Sequence, residues 1–208
     1  MVNGLVIARL GVPPFVATLG MLSVARGLTY IYSDGMPIAG LSQAFLWIGQ
    51  GRFLNIPIPV FFFAGVFILL WVLLNKTTFG RYIYAVGGSE KSAKTAGIGT
   101  KKVLVAAYAL AGMLAGLGGL ILTARTTTGL PQAGVSYELD AIAAVVIGGT
   151  SLSGGIGTVR GTLFGALIIG VINNGLDLMG VSSFYQQVVK GVIIVCAVLL
   201  DPARRTRD

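Results

Sequence analysis

Two uncharged apolar runs, Ile58–Leu74 and Val103–Ala124, constrain this chain more than any other feature. A helix needs about 20 mostly apolar residues, or roughly 17 to 25 with tilt, to cross the ~30 Å hydrocarbon core of a bilayer. Both runs meet that length. Three further segments approach it: Pro13–Ser33, apolar apart from Arg26 and opened by a Pro–Pro pair suited to a helix start; Gly161–Leu176, uncharged; and Val181–Leu200, interrupted only by Lys190. A sixth, Glu138–Thr150, is too short to span comfortably and runs into Gly148–Gly157, which holds five glycines in ten residues. Backbone polar groups in hydrocarbon need partners, so such a break survives only inside protein or beside water. We read it as a broken crossing or re-entrant turn near a permeation path, with Gly148 and Gly149 as pathway candidates. The expected fold is all-α, a polytopic transmembrane helix bundle forming one membrane domain over residues 1–208.

Composition agrees. At 55% apolar and 11% charged residues, the chain lacks the charge that covers a water-soluble surface. Its net charge of +8 does not point to nucleic acid, because most of the charge lies between the apolar runs. Lys and Arg are retained on the cytoplasmic side of membranes. If 76–102 is cytoplasmic and each segment crosses once, that side receives Arg9, the six basic residues of 76–102, Arg160, Arg204, Arg205 and Arg207, eleven of fifteen. Pairs of small residues four apart (Gly112/Gly116, Ala115/Gly119, Gly161/Gly165) suit close helix contact in lipid. The single cysteine, Cys196, forms no intrachain disulfide and reads as a small apolar filler.

The island between the two clearest spans, Lys76–Lys102, reads as a loop holding a short helix. Ser89 suits an N-cap, Glu90 the positive end of a helix, and Gly97 a C-terminal stop. At 100° per residue, Ser92, Ala93, Ala96 and Gly97 share one small face, opposite Glu90, Lys91, Lys94 and Thr95. These features fit two readings: a solvated loop helix, or a close contact for a partner's groove.

The run GRYIYAVGGSEKSAKTAGI resembles the cytoplasmic coupling segment of ABC-transporter permeases of the ribose-type sugar importer family. NGLVIARLGVPPFVATLGMLSVARGLTYIYSDGMPI, ELDAIAAVVIGGTSLSGGIGTVRGTLFGALIIGVINNGLDLMGV and FYQQVVKGVIIVCAV followed by Asp201 resemble the same family, over nearly the whole chain. The resemblance implies that Ser89, Glu90, Ala93, Ala96, Gly97 and Ile98 engage a separate ABC ATPase subunit, which binds the ATP and Mg; no cofactor is expected in this chain. It also implies a periplasmic sugar-binding protein docking on Asp34–Pro57 and Thr126–Tyr137, a second permease copy, and the bacterial inner membrane with its lipid. Such permeases are usually about half as long again, so the chain is expected to correspond to their C-terminal two thirds. A permease for a nucleoside or an amino acid, and a non-transporting scaffold left by truncation, are the rival readings.

Leu152-Ser153-Gly154-Gly155 copies the LSGG signature of ABC ATPases, but that signature needs a phosphate-cradling GxxxxGK[ST] loop, and no Gly-Lys pair occurs here. An intramembrane serine protease built on Ser151 or Ser153 would need a base; there is no histidine, and only Lys190 is conceivable. The same lack of histidine, with one cysteine, argues against a zinc site. No catalytic residue is expected. Among polar residues in or beside the spans, Asn173 and Asn174 are the further pathway candidates, whereas Glu138 and Asp177 are read as hydrated at the interface.

Overall fold

A computed structural model describes residues 1–199. The expectations for Asp201, Arg204, Arg205 and Arg207 fall outside the described residues, as does the side chain of Cys196. The chain is helical almost throughout, in the order α1 (Val2–Leu10), α2 (Pro14–Ser33), α3 (Gln43–Gln50), a minute hairpin of β1 (Arg52–Phe53) and β2 (Ile56–Pro57), α4 (Ile58–Lys76), α5 (Thr78–Gly88), α6 (Glu90–Thr95), α7 (Thr100–Thr126), α8 (Tyr137–Ile147), α9 (Val159–Leu178) and α10 (Ser183–Leu199). Four of these, α2, α4, α7 and α9, are long and apolar enough to cross a membrane. The all-α polytopic expectation therefore holds. The departures are the β1–β2 hairpin and two helices, α3 and α5, in segments read as loop.

The helices form two compact units, Met1–Ile68 with Gly97–Ala133, and Leu69–Ala96 with the chain from Gly134 onward. In the first unit α7 is the spine. Gly4 lets α1 approach it so closely that a Cβ there would lie 2.8 Å from Val105 Cα. Gly49 of α3 likewise sits on the backbone of Ala124 and Arg125, and Ala124 is fully buried. Gln50 Nε2 donates to Arg125 O at 3.3 Å. Ile38 and Gly129 exchange backbone hydrogen bonds of 2.9 Å in both directions, so the segment before α3 and the segment after α7 are tied together. Pro13 and Pro14 do open α2, as N-cap and first residue, and α2 buries none of its side chains.

In the second unit α8 and α9 form an antiparallel hairpin. A Cβ at Gly165 would overlap Ala144 O, and one at Gly161 would overlap Gly148 O. The Gly161/Gly165 pair thus does what its spacing predicts. At Gly112, Gly116 and Gly119 of α7 a Cβ would meet nothing within 4 Å among the described residues. With 11 residues, α8 is about 16 Å long at 1.5 Å per residue, roughly half a bilayer core. This matches the broken or re-entrant segment expected there.

Candidate functional site

The island is more ordered than a loop with one helix. Thr77 caps α5, accepting from Gly80 N at 3.3 Å and donating to Leu73 O at 2.6 Å. Gly80 lies against the Leu74 backbone, where any side chain would collide, so the chain folds back sharply as α4 passes into α5. Lys76 and Arg160 each stand 5.8 Å from the Trp71 ring. Two cations assigned by charge to one side of a membrane therefore meet over one aromatic ring.

Ser89 ends α5 and caps α6: its Oγ accepts from Ser92 N at 3.2 Å. Glu90 occupies the first turn, and Gly97, at φ 81°, follows the last turn in the left-handed region that only glycine adopts freely. The predicted small face is divided. Ala93 is 4% exposed and turned inward, whereas Ala96 and Gly97 are exposed and Ile98 half-buried. The exposed part of that face is therefore Ala96–Gly97, and Ala93 belongs to the packing beneath it.

Beneath α6 lies a contact that the sequence did not reveal. Gly87 and Gly88, the last residues of α5, meet Gly154 and Gly155 backbone to backbone. A Cβ at Gly87 would lie 2.9 Å from Gly155 N, and one at Gly155 would lie 2.7 Å from Gly88 Cα. Gly154 and Gly155 have φ of 90° and 76°, so their turn suits glycine for conformation as well as space. Tyr84 donates from its hydroxyl to Gly157 O at 2.9 Å, pinning α5 to the same turn. The LSGG-like run is thus a bearing surface for α5. Its serines are held in the turn, where Ser153 N donates to Ser151 Oγ at 3.1 Å.

A second cluster sits at the far end of the hairpin, where α8, α9 and α10 converge. Lys190 Nζ lies 2.8 Å from Asp140 Oδ1 and donates to Oδ2 at 3.0 Å. Asn173 Nδ2 approaches the same Oδ2 at 3.4 Å. Gln186 Nε2 donates to Asp177 Oδ1 at 2.7 Å and to Val181 O at 2.9 Å. With Tyr137 these side chains line a cavity of about 520 Å³. Lys190, the one conceivable base for a serine nucleophile, is thus paired with Asp140 at the end of α8 remote from Ser151.

The four pathway candidates do not form one site. Asn173 joins the polar cavity, while its neighbour Asn174, turned 100° away, is exposed. Gly148 is a packing residue against Gly161, and Gly149 makes a left-handed turn with open space beside it. Asp177, read as hydrated at the interface, is exposed and also accepts from Gln186. The residues missed were Asp140, Gln186 and Lys190. A solitary lysine in an apolar run was the available signal, since a charge in a bilayer calls for a partner.

The profile of the family described as branched-chain amino acid transport system / permease component matches residues 1–198. The chain belongs to that family. It is 57% identical over 201 residues to the ribose import permease protein RbsC of Bacillus subtilis (strain 168), covering 96% of this chain and 62% of that protein. It is 49% identical over 204 residues to RbsC of Escherichia coli (strain K12), covering 96% and 64%. The galactose/methyl galactoside import permease protein MglC of Haemophilus influenzae is 42% identical over 208 residues, covering 97% and 62%. The chain therefore spans under two thirds of the length of these relatives. No solved structure matches. The resemblance to ribose-type permeases drawn from the motifs agrees with these similarities.

Proposed function

We propose that this chain is a multi-pass permease subunit of an ATP-driven importer for a monosaccharide such as ribose, working in the inner membrane of a bacterium. A separate ATPase subunit binds ATP and Mg and receives the α6 corner at Ser89, Glu90, Ala96, Gly97 and Ile98. A periplasmic binding protein delivers the sugar, and two permease copies enclose the path and alternate its access. The observation that carries this reading is the contact of Gly87–Gly88 with Gly154–Gly155. A displacement of α6 bears directly on the turn that joins α8 to α9, with no flexible side chain between them to absorb it.

The test is ATP hydrolysis by the chain co-purified in lipid with its ATPase and binding protein, with and without ribose. Ribose-loaded binding protein should stimulate hydrolysis. Gly155→Ala places a Cβ against Gly88 at a φ that disfavours it, and should abolish stimulation while the complex still forms. Ala96→Glu, on the exposed surface, should prevent capture of the ATPase. A wild-type complex that forms but is never stimulated would indicate a non-transporting scaffold, and failure to capture the ATPase would remove the docking role of α6. The family's description favours one rival solute, a branched-chain amino acid. Stimulation by leucine and not by ribose would establish it.

A further inference from the structure

The polar cavity at the convergence of α8, α9 and α10 has a chemistry of its own. Its ion pair is internally neutralised, with Lys190 and Asp140 side chains only 13% and 20% exposed. Around the pair stand two carboxamides, Asn173 and Gln186, the second carboxylate Asp177 and the ring of Tyr137. Asn173 Oδ1 is buried and has no hydrogen-bond partner among the described residues. A buried acceptor without a donor is unfavourable. The volume of about 520 Å³ falls within the roughly 300–1,000 Å³ of small-molecule sites.

We propose that this cavity is a binding subsite for a neutral polyol, a pentose or hexose, within the permease. The inference rests on the sugar-importer reading and deepens it by naming the contact residues. A sugar presents adjacent hydroxyls, each both donor and acceptor. The Asp140 carboxylate accepts from a vicinal pair, Lys190 and the Gln186 amide donate, and Asn173 Oδ1 gains the donor it lacks. Tyr137 offers a flat apolar face to the C–H side of the ring. The paired charges are spent on each other, so an uncharged ligand enters without separating them. A zwitterionic amino acid would have to break the Asp140–Lys190 contact to use it, which disfavours that class here.

The experiment is saturation-transfer-difference NMR of D-ribose against the full chain in lipid nanodiscs, with no ATPase or binding protein present. Ribose should give a saturable signal that D-galactose or L-arabinose competes away and L-leucine does not. Asn173→Leu and Gln186→Leu should each weaken binding fivefold or more, while Gln187→Leu, the same change at the exposed neighbouring position, should leave it intact. Should Gln186→Leu fail to fold, Asn173→Ala, which removes the unpartnered Oδ1 together with the long 3.4 Å Nδ2 contact to Asp140, carries the same expectation. Binding that survives the Asn173 variants would put the sugar elsewhere and overturn the proposal. Equal competition by leucine would overturn the polyol class, and a wild-type chain with no saturable signal would overturn the subsite itself. None of these results touches the importer reading, which stands or falls on stimulated ATP hydrolysis.

Discussion

Replacing Gly165 by alanine should destabilise the second unit, whereas the same change five residues along the same helix should not. At Gly165 the added methyl would overlap Ala144 O and come within 2.8 Å of Ala144 C and 3.0 Å of Gly148 N, backbone atoms of α8 and of its C-cap. None can rotate away, so α8 and α9 must separate by on the order of 1 Å. Forcing a methyl into a packed contact costs about 1–3 kcal/mol. Alanine's better helix propensity returns about 0.5–1 kcal/mol, for a net loss of up to about 2.5 kcal/mol. At Gly170 a Cβ meets nothing within 4 Å among the described residues, so only the propensity gain remains, about 0.5–1 kcal/mol of stabilisation. The propensity gain is common to both, so the two variants should differ by the steric cost, about 1–3 kcal/mol, with Gly170→Ala the more stable. Titrating the purified protein from mild-detergent micelles into SDS, with helicity as the signal, measures that difference. If Gly165→Ala proves as stable as Gly170→Ala, α8 and α9 are not in backbone contact, and the argument for the hairpin fails with it.

Two further outcomes follow from the same geometry. Ser89→Ala removes the acceptor for Ser92 N and with it about 1 kcal/mol of capping; in a six-residue helix, exchange of the Lys91–Ala93 amides should quicken roughly fivefold, and unchanged exchange would mean the cap is idle. Lys190→Met strands the Asp140 carboxylate and should cost about 3–5 kcal/mol. The double variant with Asp140→Leu should recover most of that loss in the SDS titration, and strictly additive losses would refute the pairing.

The long spans were legible because uncharged runs of bilayer length leave a chain few alternatives. The hairpin glycines were legible in part. Gly161 and Gly165 announce a close approach by their spacing, but so do Gly112 and Gly116, and only the facing backbone distinguishes them. The α5 helix was hidden by its composition: Tyr82, Ile83, Tyr84 and Val86 are mediocre helix formers, and Gly80, Gly87 and Gly88 are poor ones. It forms because Thr77 caps it and Gly80 folds it onto α4. Ser89 and Gly97 were readable because capping is local. The inward turn of Ala93 was not, since the island's own packing decides which side of a short helix is covered. Lys190 signalled a buried counter-charge, but choosing Asp140 over Glu138 or Asp177 depends on how three helices meet.

What the structure adds is the relation between these features. The α8–α9 hairpin carries the glycine turn against α5 at one end and the Asp140 network at the other, with α8 between them as a single helix of 11 residues. A helix transmits displacement along its axis because its length is fixed by its hydrogen bonds, about 1.5 Å per residue. If α6 is displaced as proposed, the displacement would meet Gly154–Gly155 through glycine backbones that lack side chains to yield, and α8 would carry it toward Asp140. There the Lys190 ammonium bridges α8 to α10, so axial movement of α8 must either carry α10 with it or lengthen the 2.8 Å contact. Lengthening it would alter the carboxylate geometry that the proposed polyol subsite depends on. Coupling and sugar affinity would then be linked through one short helix, and any ligand that stabilises the closed Asp140–Lys190 pair should resist the displacement by the free energy with which it binds.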